Sequence, residues 1–260
     1  MSKQMIWAGQ GPVYFGTYDA TAGTPEMGYL THLFKVGCAN SALTTTPKRE
    51  TKTVKESCSG QRLDIAEIET GKSLEVKLDM HQFDRATLAR AFFGAASSQV
   101  AGTVTAEAFP AGLTAGDYVF LKRPGASAIV LTDSTATPAT LVEGTHYKVV
   151  DAAQGVIQLL DVATLTQPIK AAYAYAAYGN IAAFTATSVK TGILFTGINQ
   201  DGDRARVVIP KVSLAMSGDF SWIGNEESVL SLQGMAFYVA ELASDPLFGP
   251  FMRIDALPSA

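Results

Sequence analysis

Charge is scarce in this sequence of 260 residues: Asp, Glu, Lys and Arg together make 17%, against 47% hydrophobic residues. Mean hydropathy is positive. A chain so short of charge carries more apolar surface than one subunit buries, which points to an oligomer. The formal net charge of −4 is spread along the chain, with no Lys/Arg stripe of the kind that gives a nucleic-acid binder its salt-dependent affinity. Tight DNA binding is disfavoured on that ground.

Cysteine and histidine are scarcer still. Cys38 and Cys58 are far apart in a chain long enough to bury a core without staples, so both read as reduced thiols. His32, His81 and His146 are scattered, and no His-x-x-x-His or Cys-x-x-Cys spacing occurs. The sequence therefore offers no zinc site. No Ser sits in a nucleophile elbow, and no set of Ser, His and acid stands out. Long hydrophobic runs are missing as well: nothing approaches membrane-spanning length, and Met1 to Ala8 holds one Lys and too short an apolar stretch for a secretory leader. The expected product is made in the cytoplasm and enters no membrane.

What is present reads as β structure. Short runs rich in Thr, Val, Tyr and Phe are punctuated by Gly, Asp and Asn. In Lys72 to Met80, KSLEVKLDM, the residues Leu74, Val76, Leu78 and Met80 share a dry face, while Ser73, Glu75, Lys77 and Asp79 share a wet one. Asp84 then caps a short helix whose Leu88, Ala91 and Phe92 fall at i, i+3, i+4, with Gly94 placed to end it. Over Gly192 to Met216, the dipeptide Asp201-Gly202 marks an antiparallel hairpin. Its second arm changes parity between Ala205, Val207, Ile209 and Val212, Leu214, Met216, which requires a bulge or bend at Pro210.

Between Ala95 and Thr187 the composition shifts to Ala, Gly and Thr, and Tyr147 to Val150 and Val156 to Leu160 flank a second hairpin turn. The stretch reads as an insertion, dividing the chain into 1–94, 95–187 and 188–260. Tyr173 and Tyr175 share a strand face near its end and read as an aromatic packing pair. Two motifs fail on inspection. Ala66 to Ser73, AEIETGKS, has the loose phosphate-loop spacing, but Glu67 and Glu69 would put carboxylates in the cradle, and a strand follows where a helix N-terminus is needed. Asn199 to Asp203, NQDGD, lacks the spaced ligands and terminal Glu of a calcium loop.

The order of these features carries a resemblance: a Gly-rich opening, the turn Val36-Gly37-Cys38-Ala39-Asn40, a polar arm, Ser59-Gly60, an alternating strand and a short helix. It resembles the tail-tube (major tail) proteins of long-tailed phages. The likeness covers Val36 to Gly94, returns over Arg206 to Arg253, and extends to the hairpin from Gly144 to Leu160, which looks like those inserted in such proteins. It implies a mainly β fold, a β-sandwich or barrel with a short flanking α-helix and a β-rich insertion, assembled into stacked hexameric rings. It implies a structural virion protein and no enzyme, with no cofactor, no metal and no catalytic residue. The implied partners are further copies of the chain, the tape-measure protein, tail-end proteins and DNA in transient, non-specific passage.

Two sets of residues are expected to matter. Thr44 to Ser59 has Val54 as its only large aliphatic residue and lacks apolar area to offset the entropy of ordering. It is expected to be mobile in the free subunit and to order against a neighbouring copy, through Pro47, Lys48, Arg49, Glu50, Lys52, Val54, Lys55 and Glu56. Its excess of Lys and Arg points to an acidic dock. Glu75, Lys77 and Asp79 are candidates for the channel wall, which is expected to be acid-rich so that DNA slides. The alternative is a β-rich carbohydrate-binding or adhesion module of a virion, with Trp7, Trp222 and the Tyr pair as platforms. A glycan-cleaving enzyme stands third, since it needs only a positioned carboxylate pair.

Overall fold

The computed structural model describes residues 7–38, 40–186 and 190–257. It is mainly β, with 50% of residues in strands and 6% in helix. In chain order come β1 (Val13–Tyr18), β2 (Leu30–Val36), β3 (Asn40–Lys55), β4 (Asp64–Met80) and helix α1 (Arg85–Ala91). Next are β5 (Ala95–Gln99), β6 (Gly102–Ala108), β7 (Tyr118–Phe120), β8 (Ala126–Thr132), β9 (Tyr147–Asp151), β10 (Val156–Leu159), β11 (Lys170–Tyr175) and β12 (Tyr178–Ala182). The chain finishes with β13 (Lys190–Ile198), β14 (Arg204–Met216), β15 (Leu230–Ala236), helix α2 (Ala240–Ala243) and β16 (Arg253–Leu257). Two compact units result: one runs up to Ala95 and resumes at Ile181, and the other is Ala96–Asn180.

The first unit is built on one antiparallel sheet of order β2-β1-β13-β14-β15-β4-β3, with β16 also paired to β14. Alternation explains how it is covered. Leu74, Val76, Leu78 and Met80 of β4 bury their side chains with Leu230 and Leu232 of β15, Ile193 of β13 and Phe15 of β1 in one core. Leu194 and Val208 are sequence neighbours of the core residues Ile193 and Ile209, so they point to the opposite face. There they join Leu30, Val239, Leu242 and Phe248 in a second, smaller cluster. The β1-β13-β14 part of the sheet is thus covered on both faces. On the outer face of β3, β4 and β15, Thr44, Thr46, Lys77 and Met235 are exposed. The barrel expected as one alternative does not form. β2 and β3, at the two ends of the strand order, do not pair, so the sheet is not closed.

Asp84 caps α1 as its position implies: its carboxylate accepts the Thr87 N–H at 2.7 Å. Leu88, Ala91 and Phe92 face the main core. The left-handed residue after the helix is Phe93 (φ 50), where Gly94 was expected. Gly94 closes the turn by donating its N–H to the Ala89 carbonyl at 2.7 Å. It also passes so close to Ala182 that a Cβ would lie 2.4 Å from the carbonyl oxygen, so the glycine serves a close approach.

The 199–203 turn joins β13 to β14 in an antiparallel hairpin, with Gly202 at φ 84 and the Asn199 side chain accepting the Asp203 N–H at 2.8 Å. The pairing then jumps from Thr191↔Val212 to Ile193↔Ile209, so β14 holds an extra residue at Pro210 and Lys211. Here β14 also changes partner: Arg204 to Val208 pair with β16, and Val212 to Met216 with β15. A proline suits that junction, because it has no N–H to lose.

The second unit has its own core. Sheets β6-β11-β8 and β7-β10-β9 enclose Leu131, Ile157, Leu159, Ile169, Ala171 and Tyr173. β9 and β10 form the hairpin expected around Asp151 to Gly155. Where the chain enters and leaves this unit, β5 pairs with β12 in a two-stranded ribbon.

Candidate functional site

The β3–β4 hairpin is longer than the sheet that anchors it. β15 pairs with β4 only from Glu75 to Met80, whereas β3 pairs with β4 from Met80 back to Asp64. Among the described residues, the two strands have only each other as ladder partners from Lys48 to Lys55 and from Asp64 to Gly71. This is a projecting arm, and every residue from Gly60 to Thr70 on it is exposed.

The segment expected to lack an ordering partner therefore has one within the chain. Backbone hydrogen bonds need no apolar pattern, so a polar strand pairs as well as any other once a second strand lies beside it. Residues 66–73, which carry the phosphate-loop spacing, lie inside β4 and are followed by more strand. The charge expectation changes too, because β4 brings carboxylates that a count over Thr44 to Ser59 leaves out. Arg49 reaches Glu69 at 3.2 Å and Glu67 at 3.8 Å. Lys55 pairs with Asp64 at 3.0 Å, and Lys72 with Glu69 at 2.9 Å. These pairs are solvated and individually weak, but together they leave the arm close to neutral.

The remaining expected residues fall along this arm. Pro47 pairs with Leu74 at the root, Glu50 with Gly71, Lys52 with Ile68, and Val54 with Ala66. At the tip Glu56 accepts the N–H groups of Cys58 at 3.1 Å and Ser59 at 3.0 Å, and the Ser59 hydroxyl. The Ser59 hydroxyl and these backbone N–H groups hold the Glu56 carboxyl below its usual range. Cys38 and Cys58 are free and exposed. The most telling residues were missed in the sequence: Leu63, Ile65 and Ile68 are 56%, 64% and 54% exposed. Three large aliphatic residues inside a charged run were the signal.

At the root, Lys48 pairs with Glu75, whose other oxygen accepts the Gln233 amide. Lys77 pairs with Asp79 at 3.1 Å. The candidate channel residues Glu75, Lys77 and Asp79 do share one face of β4, and with Lys48 they make a charge-balanced row. Hydrogen bonds from Lys48 and Gln233 hold the Glu75 carboxyl below its ordinary value of 4.5. A carboxylate lowered in the folded state stabilises above its unfolded pKa, and that contribution is lost as pH falls through the folded pKa. Acidification through this range is expected to speed amide exchange at Thr46 and Lys48 relative to intrinsic rates. In Glu75→Gln the fast rate is expected already at neutral pH. An equal pH step in both proteins would show that the Lys48 contact does not anchor the arm.

The aromatic platforms separate. Tyr173 is only 3% exposed; its hydroxyl donates to Glu107 at 2.5 Å and accepts the Arg123 N–H at 3.2 Å. Burial, followed by the Glu107 hydrogen bond, pushes its pKa up to about 12. It is a packing residue, with Tyr175 at 6.5 Å beside it. Trp222 is 73% exposed, stacked over Phe92 and edge-on to Phe220. Among the described residues no group of His, Cys, Asp and Glu could hold a metal ion, and no helix is long and apolar enough to cross a membrane.

A family model matches residues 6–255 of the chain; the family is described as protein of unknown function UCP028589. No curated protein matches the chain.

Proposed function

The chain belongs to family UCP028589, and from the arm and the open antiparallel sheet we propose that it is a structural subunit of a phage tail tube. The observation that carries this reading is the arm itself. A two-stranded ribbon is marginally stable alone in water, and this one exposes Leu63, Ile65 and Ile68 at its far end. Such an element gains its stability from a neighbour. Among the described residues β2 and β3 end the strand order, and they offer a further joint, since strands of adjacent copies extend a sheet across a ring and remove its edges.

In this reading the sheet folds over as a sandwich-like wall, hexameric rings stack into a tube, and the arm orders against the next copy. The tube houses the tape-measure protein, is terminated by tail-end proteins, and then passes DNA. The chain acts in the virion tail after synthesis in the host cytoplasm and performs no catalysis. Electron microscopy and sedimentation of the purified chain test this: closed rings or tubes that grow with concentration are expected. A monomer that stays monomeric at micromolar concentration rejects the reading.

The adhesion-module alternative draws on Trp222, whose ring is accessible, and loses the Tyr pair to the core. A non-assembling monomer retarded on a glycan column, and released by Trp222→Ala, would favour it.

A further inference from the structure

The two ends of β14 carry surfaces that match each other. Beyond Met216 the loop 217–229 contains Asp219, Glu226 and Glu227 with no Lys or Arg, and presents Ile223 at 95% and Trp222 at 73% exposure. It is held in shape by the Ser221 hydroxyl donating to the Ile223 carbonyl at 2.7 Å and the Ser228 hydroxyl donating to the Ser221 carbonyl at 2.5 Å. At the opposite end of the strand, Arg204, Arg206 and Arg253 line a cleft of about 820 Å3. Asp255, the carboxylate among the lining residues, accepts from Arg206 at 2.8 and 2.6 Å and from Arg253 at 2.7 Å. The cleft is left net positive, and its rim exposes Ile254 and Leu257.

We propose that the acidic loop 217–229 of one copy seats in the arginine cleft of the next, making a head-to-tail contact that repeats along the strand axis. The sign of the charge chooses the occupant. The arm's cations are offset in number by its own carboxylates, whereas the loop brings an excess of negative charge together with two exposed apolar side chains. A self-contact between unlike surfaces is heterologous: it closes into a ring or runs on as a chain according to the rotation between copies. Here the two surfaces lie at opposite ends of one strand of 13 residues, up to about 40 Å apart at about 3.3 Å per residue. The contact therefore propagates along the strand, and it assigns the stacking joint of the proposed tube, on which reading it rests.

Charge reversal tests the joint. Asp219→Lys with Glu226→Lys changes exposed loop residues, and Arg204→Glu changes an exposed cleft residue. Each variant is expected to weaken end-to-end association at least roughly tenfold, with the wild-type contact weakening as salt rises. The triple variant, in which the loop is reversed and the cleft has lost its excess positive charge, and a mixture of the two single-surface variants are both expected to recover part of the association. Unchanged melting shows that the variants fold, and Ile223→Ser gives an independent uncharged probe of the loop. If wild-type rings stack and the reversed ones do not, both readings hold. If salt-sensitive chains form without rings, and reversal abolishes them, the joint stands and the tube falls. Stacking that survives both reversals, or fails to return in the triple variant, overturns the joint and leaves the tube. A wild-type chain that never self-associates overturns both.

Discussion

Replacing 50–71 by Asn-Gly, so that Arg49 and Lys72 flank a two-residue turn, is expected to leave the subunit's melting temperature nearly unchanged while abolishing assembly. Arg49 and Lys72 are already cross-strand partners, so a tight turn fits between them. None of the removed residues belongs to a core cluster, and the ion pairs removed with them are exposed pairs worth about 0 to 1 kcal/mol each. Folding thus loses little. Association, in contrast, loses the whole exposed patch of Leu63, Ile65 and Ile68. Substituting only these three by serine separates the apolar contribution from the arm's length: assembly is expected to weaken without any change in melting. Tubes of normal length from the shortened chain would remove the arm from the mechanism.

The opposite pattern is expected at the hairpin's base. Leu78→Ala is expected to cost about 3 to 5 kcal/mol, the range for emptying a well-packed leucine site. Leu78 is fully buried and lies between Leu43 of β3 and Leu232 of β15. For a unit of this size that corresponds to a fall of roughly 10 °C in the melting temperature. Its neighbour Lys77 points the other way and is exposed, so Lys77→Ala is expected to shift stability by less than about 0.5 kcal/mol. Comparable melting of the two variants would contradict the assigned faces of β4.

These contrasts also show which parts of the fold the sequence makes legible. From Leu74 to Met80 one face is dry and the other wet, and such a strand is readable because burial imposes period two. Asp84 and the 199–203 turn were legible for local reasons, since a cap and a hairpin turn each need particular residues at particular positions. The parity change around Pro210 even located a bulge, because a strand that stays buried on one face cannot change parity without one. The first half of β4 was not legible. Glu67, Glu69 and Lys72 are solvated on both faces, and a strand held only by its backbone ladder leaves no trace in side-chain alternation. The pairing of Arg49 and Lys55 was hidden for the same reason, as their partners belong to the strand that went unread. The cluster around Leu194 and Val208 was obscured because β13 and β14 are buried on both faces there, so alternation no longer separates inside from outside.

The β5–β12 ribbon has a consequence for how such a chain changes over generations. The two ends of 96–180 leave and return on paired strands, so a few residues of turn suffice to close the gap if everything beyond is lost. Any domain with adjacent termini fits the same slot, since surface positions of this kind accept insertions without disturbing the packing beneath. A single recombination event can therefore exchange one cassette for another while the rest of the subunit keeps its sequence. Lineages that share the body of this protein are expected to differ most in what they carry between Ala95 and Ile181, including chains with no cassette there at all.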